Sequence, residues 1–126
     1  MKEIKETDEL KKFNSQNISY CFITSNNLAT FNTLVNDAIA LNYNLKDSAQ
    51  FSANLLGFNY CQALEKVGNY LGDNLEYELI VDQDFSNLET TVQGKIDVGY
   101  VTYGGALLAS SSDSTYFGQV VTKRLS

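Results

Sequence analysis

A hydroxyl and two glycines directly after a predicted strand are the residues best placed to do chemistry in this chain. Residues 94–109 predict a helix end at Gly94, a covered parallel strand at 96–101, a loop at 102–105 and then a new helix. Helix N-terminal amides and the Thr102 hydroxyl can donate to phosphate oxygens, and glycine lets the backbone approach a ligand closely. Tyr103 could stack on a ring. The pattern predicts an anionic small-molecule site at Thr102, Tyr103, Gly104 and Gly105. The alternative for the glycine pair is a tight turn without a ligand.

Four acidic side chains near this segment invite other chemistry. Asp97 falls inside the predicted strand at 96–101, where a carboxylate is costly unless it accepts hydrogen bonds. We expect Asp97 to have a structural role, accepting hydrogen bonds from neighbouring loop amides. Glu76, Glu78 and Asp82 could form a carboxylate cluster for metal or glycoside chemistry, but the solvated face of a strand explains them more simply.

Composition limits the class of function. The 126 residues and 44% hydrophobic content predict one globular domain, and a net charge of −6 without a basic cluster argues against nucleic acid as a partner. The absence of His excludes His-based catalysis, so we expect no enzyme, no cofactor and no metal site. Cys21 and Cys61 could form a disulfide, although two buried small apolar side chains are the favoured reading.

Hydrophobic periodicity predicts elements that would position these groups. We expect a polar lead-in at residues 1–17, strands at 18–25, 75–81 and 116–122, and helices at 28–41, 60–71 and 86–93. Residues 42–52 look like a polar connection, residues 54–58 are ambiguous between strand and loop, and no internal repeat is visible. Alternating strands and helices predict an α/β fold for residues 18–126. We expect one three-layer domain, a mostly parallel sheet with helices on both faces.

Part of the chain resembles a transport family. Residues 62–72 are similar to the "pla.yL...lG" helix of type 2 periplasmic binding proteins, and residues 75–81 to the strand that follows. Asp84-Phe85 occupies the place of that family's "Asp-Tyr", and residues 94–101 resemble its "G-[KE]-[IV]-D" strand. Within the family the chain is most similar to the phosphate/phosphonate-type substrate-binding component of ABC importers. These include the mollicute high-affinity transport lipoproteins that bind thiamine phosphates. The resemblance covers residues 62–121, about half the chain.

The resemblance implies a site and a cellular context. The chain would be a first-lobe segment, with Ser25, Asn26, Asp84 and Phe85 joining residues 102–105 along the ligand cleft. Helix capping is the alternative for Ser25 and Asn26. A transporter membrane component or a second lobe would be the partner, at an extracytoplasmic or cell-surface location. The sequence itself shows neither an export signal nor an apolar run long enough to cross a membrane.

A second hypothesis belongs to another class of protein. The chain would be a small standalone α/β protein-interaction module, either monomeric or oligomeric, with no small-molecule ligand. An exposed apolar patch would favour this hypothesis. A monomer that gains thermal stability with phosphate, phosphonates or thiamine phosphates would favour the receptor lobe.

Overall fold

Two copies of one strand-helix-strand-strand unit make up the described part of the chain. The computed structural model describes residues 18–54, 57–68, 71–72, 74–110 and 114–125. The first repeat (residues 18–67) contains β1 Ile18–Ser25, α1 Leu28–Ala40, β2 Asn44–Asn54 and β3 Gly57–Val67. The second repeat (residues 75–124) contains β4 Leu75–Asp82, α2 Phe85–Asp97, β5 Val101–Ser110 and β6 Thr115–Arg124. The predicted lead-in at residues 1–17 lies outside the described residues.

Both sheets are antiparallel, so the predicted mostly parallel three-layer α/β fold is wrong. The strand orders are β1-β3-β2 and β4-β6-β5, and in each sheet the middle strand runs antiparallel to both neighbours. The prediction placed a helix or a connection before every strand. In fact each repeat has one helix followed by a hairpin, and a hairpin joins antiparallel neighbours with a short loop. Among the described helices, neither is long and apolar enough to cross a membrane.

The repeat that sequence inspection missed is regular to the residue. β4 begins 57 residues after β1 (75 against 18), and the same step carries α1 onto α2. Nine positions hold the same residue in both copies. They are Tyr20 and Tyr77, Ile23 and Ile80, Thr33 and Thr90, Val35 and Val92, Ile39 and Ile96, Tyr43 and Tyr100, Ala49 and Ala106, Gln62 and Gln119, and Lys66 and Lys123. So few identities do not stand out along a chain of this length.

The strands β2 and β5, which occupy equivalent places in the two repeats, have the same irregularity in their backbone. In β2 the pairing register shifts between Lys46 and Gln50, and in β5 it shifts between Tyr103 and Leu107. Each shift contains a residue of positive φ, Asp47 (62°) and Gly104 (70°), which are 57 positions apart. At Gly104 a Cβ would also collide with the Ser48 hydroxyl, so glycine suits this position for space as well as for conformation.

Strands that expose one face to water misled the periodicity analysis. Residues 60–67 of the predicted helix at 60–71 belong to β3, where Phe58, Tyr60, Gln62 and Leu64 share one face. The polar Gln62 at a fully buried position disguised that alternation. The predicted connection at 42–52 is mostly β2. This strand was missed because its register shift breaks the strict period of two.

The remaining strand and helix predictions are partly confirmed and partly wrong. The strands at 18–25, 75–81 and 116–122 and the helix at 28–41 are confirmed as β1, β4, β6 and α1. The predicted helix end at Gly94 and the predicted strand at 96–101 are wrong, because α2 continues to Asp97. Gly99 takes the positive φ (107°) that redirects the chain after the helix, as Asn42 (74°) does after α1.

The two repeats share one main core. Phe31, Val35 and Ile39 of α1 pack with Tyr77 and Leu79 of β4, and Val120 of β6 belongs to the same cluster. A smaller cluster under α2 contains Ile80, Leu88, Tyr100 and Val121. One face of the second sheet is therefore covered by the first repeat, and the opposite face by its own helix.

Two asparagine side chains of α1 pair with the edge of β4. Asn36 donates from Nδ2 to Tyr77 O and accepts from Tyr77 N at Oδ1, both at 2.9 Å. Asn32 makes the same two bonds with Leu79, at 3.2 and 2.9 Å. Each amide presents a donor and an acceptor side by side, as a neighbouring strand would. The edge strand β4 is thus paired on both sides, by β6 and by a helix.

We expect Asn36→Ala to lower the free energy of unfolding by about 2 kcal/mol, because a buried backbone donor and acceptor of Tyr77 lose their partners. Urea unfolding of dilute protein measures this. The matched control is Gln93→Ala at the equivalent position of α2, which is exposed and should change stability by less than about 0.5 kcal/mol. Equal losses for the two variants would contradict the structural role of Asn36.

Candidate functional site

The four predicted cleft residues outside the glycine loop lie at the N-termini of the two helices, where Asn27 and Asp84 are the N-caps. Ser25 Oγ accepts from Asn27 N at 3.1 Å, and the exposed Asn26 lies between them at the entry to α1. Asp84 is the N-cap of α2 and accepts from Ser86 N and Asn87 N. Phe85 is exposed at the start of α2, with its ring 6.1 Å from that of Phe117. The carboxylate therefore already occupies helix amides that an anion would need.

The predicted glycine loop is the interior of a strand. Thr102, Tyr103, Gly104 and Gly105 belong to β5, and no helix follows them, because β5 continues to Ser110. Tyr103 packs against the core shared with the first repeat. The Gly105 amide lies 3.4 Å from Ser48 Oγ, to which it donates. The helix N-terminus expected beside these residues is thus replaced by sheet.

Among the acidic residues, Asp97 is placed differently from expectation. Asp97 is not in a strand: it is the exposed last residue of α2 and accepts from Gln93 Nε2 at 2.9 Å. Glu78 forms an ion pair with Lys95 at 2.7 Å, and this hydrogen bond raises the pKa of Lys95. Among the described residues no cluster of three or more His, Cys, Asp or Glu side chains could hold a metal ion.

The two cysteines are not bonded to each other. Cys21 pairs with Leu64 in the register of β1 and β3, while Cys61 pairs with Thr24. Because successive residues of a strand alternate between faces, this register puts Cys21 on the core face and Cys61 on the other. Both thiols are free and half-buried.

The best-formed recognition site in the molecule lies between α1 and the first sheet, and it is occupied by β4. Tyr77 and Leu79 enter it, and both are only 1% exposed. The Tyr77 hydroxyl donates to Gln62 Oε1 at 2.9 Å, while the backbone of the same strand pairs with Asn32 and Asn36. This site, the first groove, binds a strand by its edge and by alternate side chains.

Gln62 is held ready for that hydroxyl by the bend of β2. Its Nε2 donates to Asp47 O at 3.0 Å and to Ala63 O at 2.9 Å, which fixes the orientation of the amide. The remaining oxygen faces Tyr77. Burial raises the pKa of the Tyr77 hydroxyl well above its ordinary value, which favours the protonated form that donates a hydrogen bond.

The second repeat has the same groove, but no described residue fills it. This second groove has a volume of about 870 Å³ between α2 and the second sheet. Its lining includes Glu89, Gln93, Ala106 and Gln119, which lie 57 positions after Asn32, Asn36, Ala49 and Gln62 of the first groove. Apolar residues of α2, among them Leu88, Val92 and Ile96, complete it.

The polar end of the second groove is built like that of the first. Gln119 Nε2 donates to Tyr103 O, Gly104 O and Val120 O, at 3.3, 3.3 and 3.1 Å. The equivalent carbonyls fix Gln62 in the first groove. Sequence reasoning missed Gln62 because it was taken as part of a helix surface, and it missed Gln119 because a polar residue in a predicted strand was read as solvent-facing. The signal that would have found them is the 57-residue spacing of identical residues.

We expect the unfolding free energy to fall as the pH rises above about 10, where tyrosines of the unfolded chain lose protons that Tyr77 keeps in the fold. Below that pH the contribution is fully present. Tyr77→Phe should make the fall shallower by up to about 1.4 kcal/mol per pH unit. It should also cost about 1–2 kcal/mol at neutral pH, because Gln62 Oε1 loses its partner. Chemical unfolding across pH 7–12 measures both effects.

The exposed tyrosine of the first repeat supplies the control for this experiment. Tyr20 occupies the position equivalent to Tyr77, and its side chain is largely in solvent. Tyr20→Phe should leave stability at neutral pH unchanged in dilute protein. A pH dependence that is identical in wild type and Tyr77→Phe would show that the hydroxyl is not held protonated by the fold.

Comparison with protein-family models, with the curated proteins and with the solved structures found no match. No relative therefore assigns a ligand or a partner to either groove. What the chain binds is inferred from the contrast between its own two repeats, one with an occupied groove and one with an open groove.

Proposed function

We propose that this chain is a protein-interaction module and that its second groove binds the exposed edge of a β-strand. The observation that carries the proposal is the occupied first groove, which has the same construction and already holds a strand, β4. Burial of apolar side chains against α2 would supply most of the binding free energy, and the amides would set the position of the strand.

The polar groups of the second groove match those that form hydrogen bonds with β4 in the first groove. The Gln93 amide has both a donor and an acceptor, as Asn36 has, and so can pair with the backbone of one residue. Gln119 Oε1 can accept from a tyrosine hydroxyl, as Gln62 Oε1 does. The small side chain of Ala106 leaves room in the second groove, as the fully buried Ala49 does in the first. These groups favour a strand with tyrosine at the position next to Gln93 and Gln119.

One substitution between the grooves changes what is recognised. Glu89 replaces Asn32, and an ionised carboxylate accepts hydrogen bonds but cannot donate. A strand in the second groove would therefore give its N–H to Glu89, while its neighbouring carbonyl would need water. The second groove is thus suited to weaker, reversible binding than the first.

The receptor-lobe hypothesis depended on a geometry that differs from the one in this fold. It required a parallel sheet whose loops converge on a cleft, with free helix amides after the glycine pair. The sheets are antiparallel, and residues 102–105 lie within β5. The interaction-module hypothesis requires only the grooves that the two repeats create.

A peptide with the sequence of β4 tests whether the second groove binds strands. Added to isotope-labelled full-length protein, it should shift the side-chain amide NMR signals of Gln93 and Gln119 with a millimolar to high-micromolar dissociation constant, weak because a free peptide must be ordered on binding. A peptide with lysine at the Tyr77 position should not produce these shifts.

Two lysine variants provide matched controls for the location of binding. Ala106→Lys puts a long charged side chain on the groove floor and should abolish the shifts. Thr91→Lys lies on α2 but outside the groove lining, and should leave them unchanged. The proposal fails if the peptide shifts no groove signals or if both variants bind it equally.

A further inference from the structure

Resting on the proposed function, we infer that the strand bound by the second groove is β1 of a second copy of this chain. The copies would then be joined head to tail, with β1 of each seated between α2 and the second sheet of the next. The partner is thus identified by continuity with an interface that the chain already makes internally, between α1 and β4.

β1 has the side chains that the groove is built to hold. Tyr20 and Phe22 lie 57 positions before Tyr77 and Leu79, and Tyr20 matches Tyr77 in type. Tyr77 and Leu79 are 1% exposed, whereas Tyr20 is 62% and Phe22 is 55% exposed. Two aromatic residues on adjacent same-face positions of a strand form an apolar strip of the kind that marks an interaction surface.

β1 also has an edge that nothing described covers. It is the outer strand of its sheet and pairs with β3 alone among the described strands. In β4 the corresponding edge is closed by Asn32 and Asn36. An uncovered edge beside exposed aromatic side chains is a site for pairing with another chain. The second groove offers Glu89 and Gln93 at the two positions from which the asparagines act.

The internal interface predicts the contacts between copies. The Tyr20 hydroxyl would donate to Gln119 Oε1 of the next copy, as Tyr77 does to Gln62. Gln93 would pair with the backbone of Tyr20, and Glu89 would accept from the Phe22 N–H. To do so, Gln93 must release Asp97, with which it now shares an exposed hydrogen bond of 2.9 Å. Exchanging one exposed side-chain bond for two backbone bonds is favourable once water is excluded.

The contact is heterologous, because it joins two different surfaces. Within one chain α2 packs on its own strands β4, β5 and β6, and the exposed Tyr20 and Phe22 show that it does not cover β1. Each copy therefore keeps one free groove and one free strand after any single contact. Such contacts generate a closed ring if the rotation between copies closes, and a growing filament if it does not.

The rest of the β1 sheet face keeps this association reversible. In the sheet, Phe22 pairs with Ala63, which in turn pairs with Lys46, and Tyr20 pairs with Glu65. The equivalents of Lys46 and Glu65 in the second sheet are Tyr103 and Thr122, which suit a permanently buried face. Charged residues beside the aromatic strip limit the apolar area, so assembly should depend on protein concentration.

Sedimentation velocity of the full-length protein tests the inference. The wild type should be monomeric at low micromolar concentration and should form larger species towards millimolar concentration. A strand variant, Tyr20→Lys with Phe22→Lys, and a groove variant, Ala106→Lys, should each stay monomeric. The exposed controls Thr33→Lys and Thr91→Lys should assemble like the wild type.

Mixing the two monomeric variants gives the decisive result. The strand variant retains its groove and the groove variant retains its strand, so an equimolar mixture should form a one-to-one dimer and nothing larger. A wild type that remains monomeric at all concentrations, or variants that do not complement each other, would overturn the inference. If the β4 peptide still binds in that case, the proposed function stands and the natural partner is a strand of another protein.

Discussion

The pairing of α1 amides with the edge of β4 is the interaction on which the rest of this structure depends. A sheet edge presents backbone donors and acceptors that cannot be buried without partners. Asn32 and Asn36 supply those partners from a helix. Because the edge is satisfied, Tyr77 and Leu79 can be withdrawn completely from water and can join the core of the first repeat. The two halves of the chain are therefore one packed body instead of two weakly stable three-stranded units.

Because the unit is duplicated, the groove that holds β4 can be compared with its own copy. One groove is filled within the chain, and its copy is open. The residues that differ between the copies follow from that difference. Where the first repeat buries Ala38 and Ile39 in the shared core, the second has Lys95 and a more exposed Ile96, and Lys95 forms an ion pair with Glu78. Five of the nine retained residues, Gln119 and Ala106 among them, line the open groove, where the stability of the single chain does not require burial.

Local sequence signals predicted elements well wherever burial followed one simple period. The amphipathic stripe of α1 and the apolar strands β1 and β4 were found with nearly correct bounds. Signals failed in β2 and β3, because a register shift moves Asp47 out of alternation and because the buried Gln62 is polar. They failed again at residues 94–105, where a glycine inside α2 was taken for its end. Except for the strand predicted at 96–101, the errors favoured helix or loop over strand, and together they changed an antiparallel fold into a parallel one.

By itself, the sequence determined that the chain is acidic and without histidine chemistry. It also determined the core face of α1, because an amphipathic stripe depends on neighbours within a few residues. Only the tertiary structure decided the antiparallel topology and the exact 57-residue repeat. It alone also distinguished a filled groove from an open one. The physical reason is that Gln62 and Tyr77, or Asn36 and the β4 backbone, recognise each other across distances in the chain that no local pattern records.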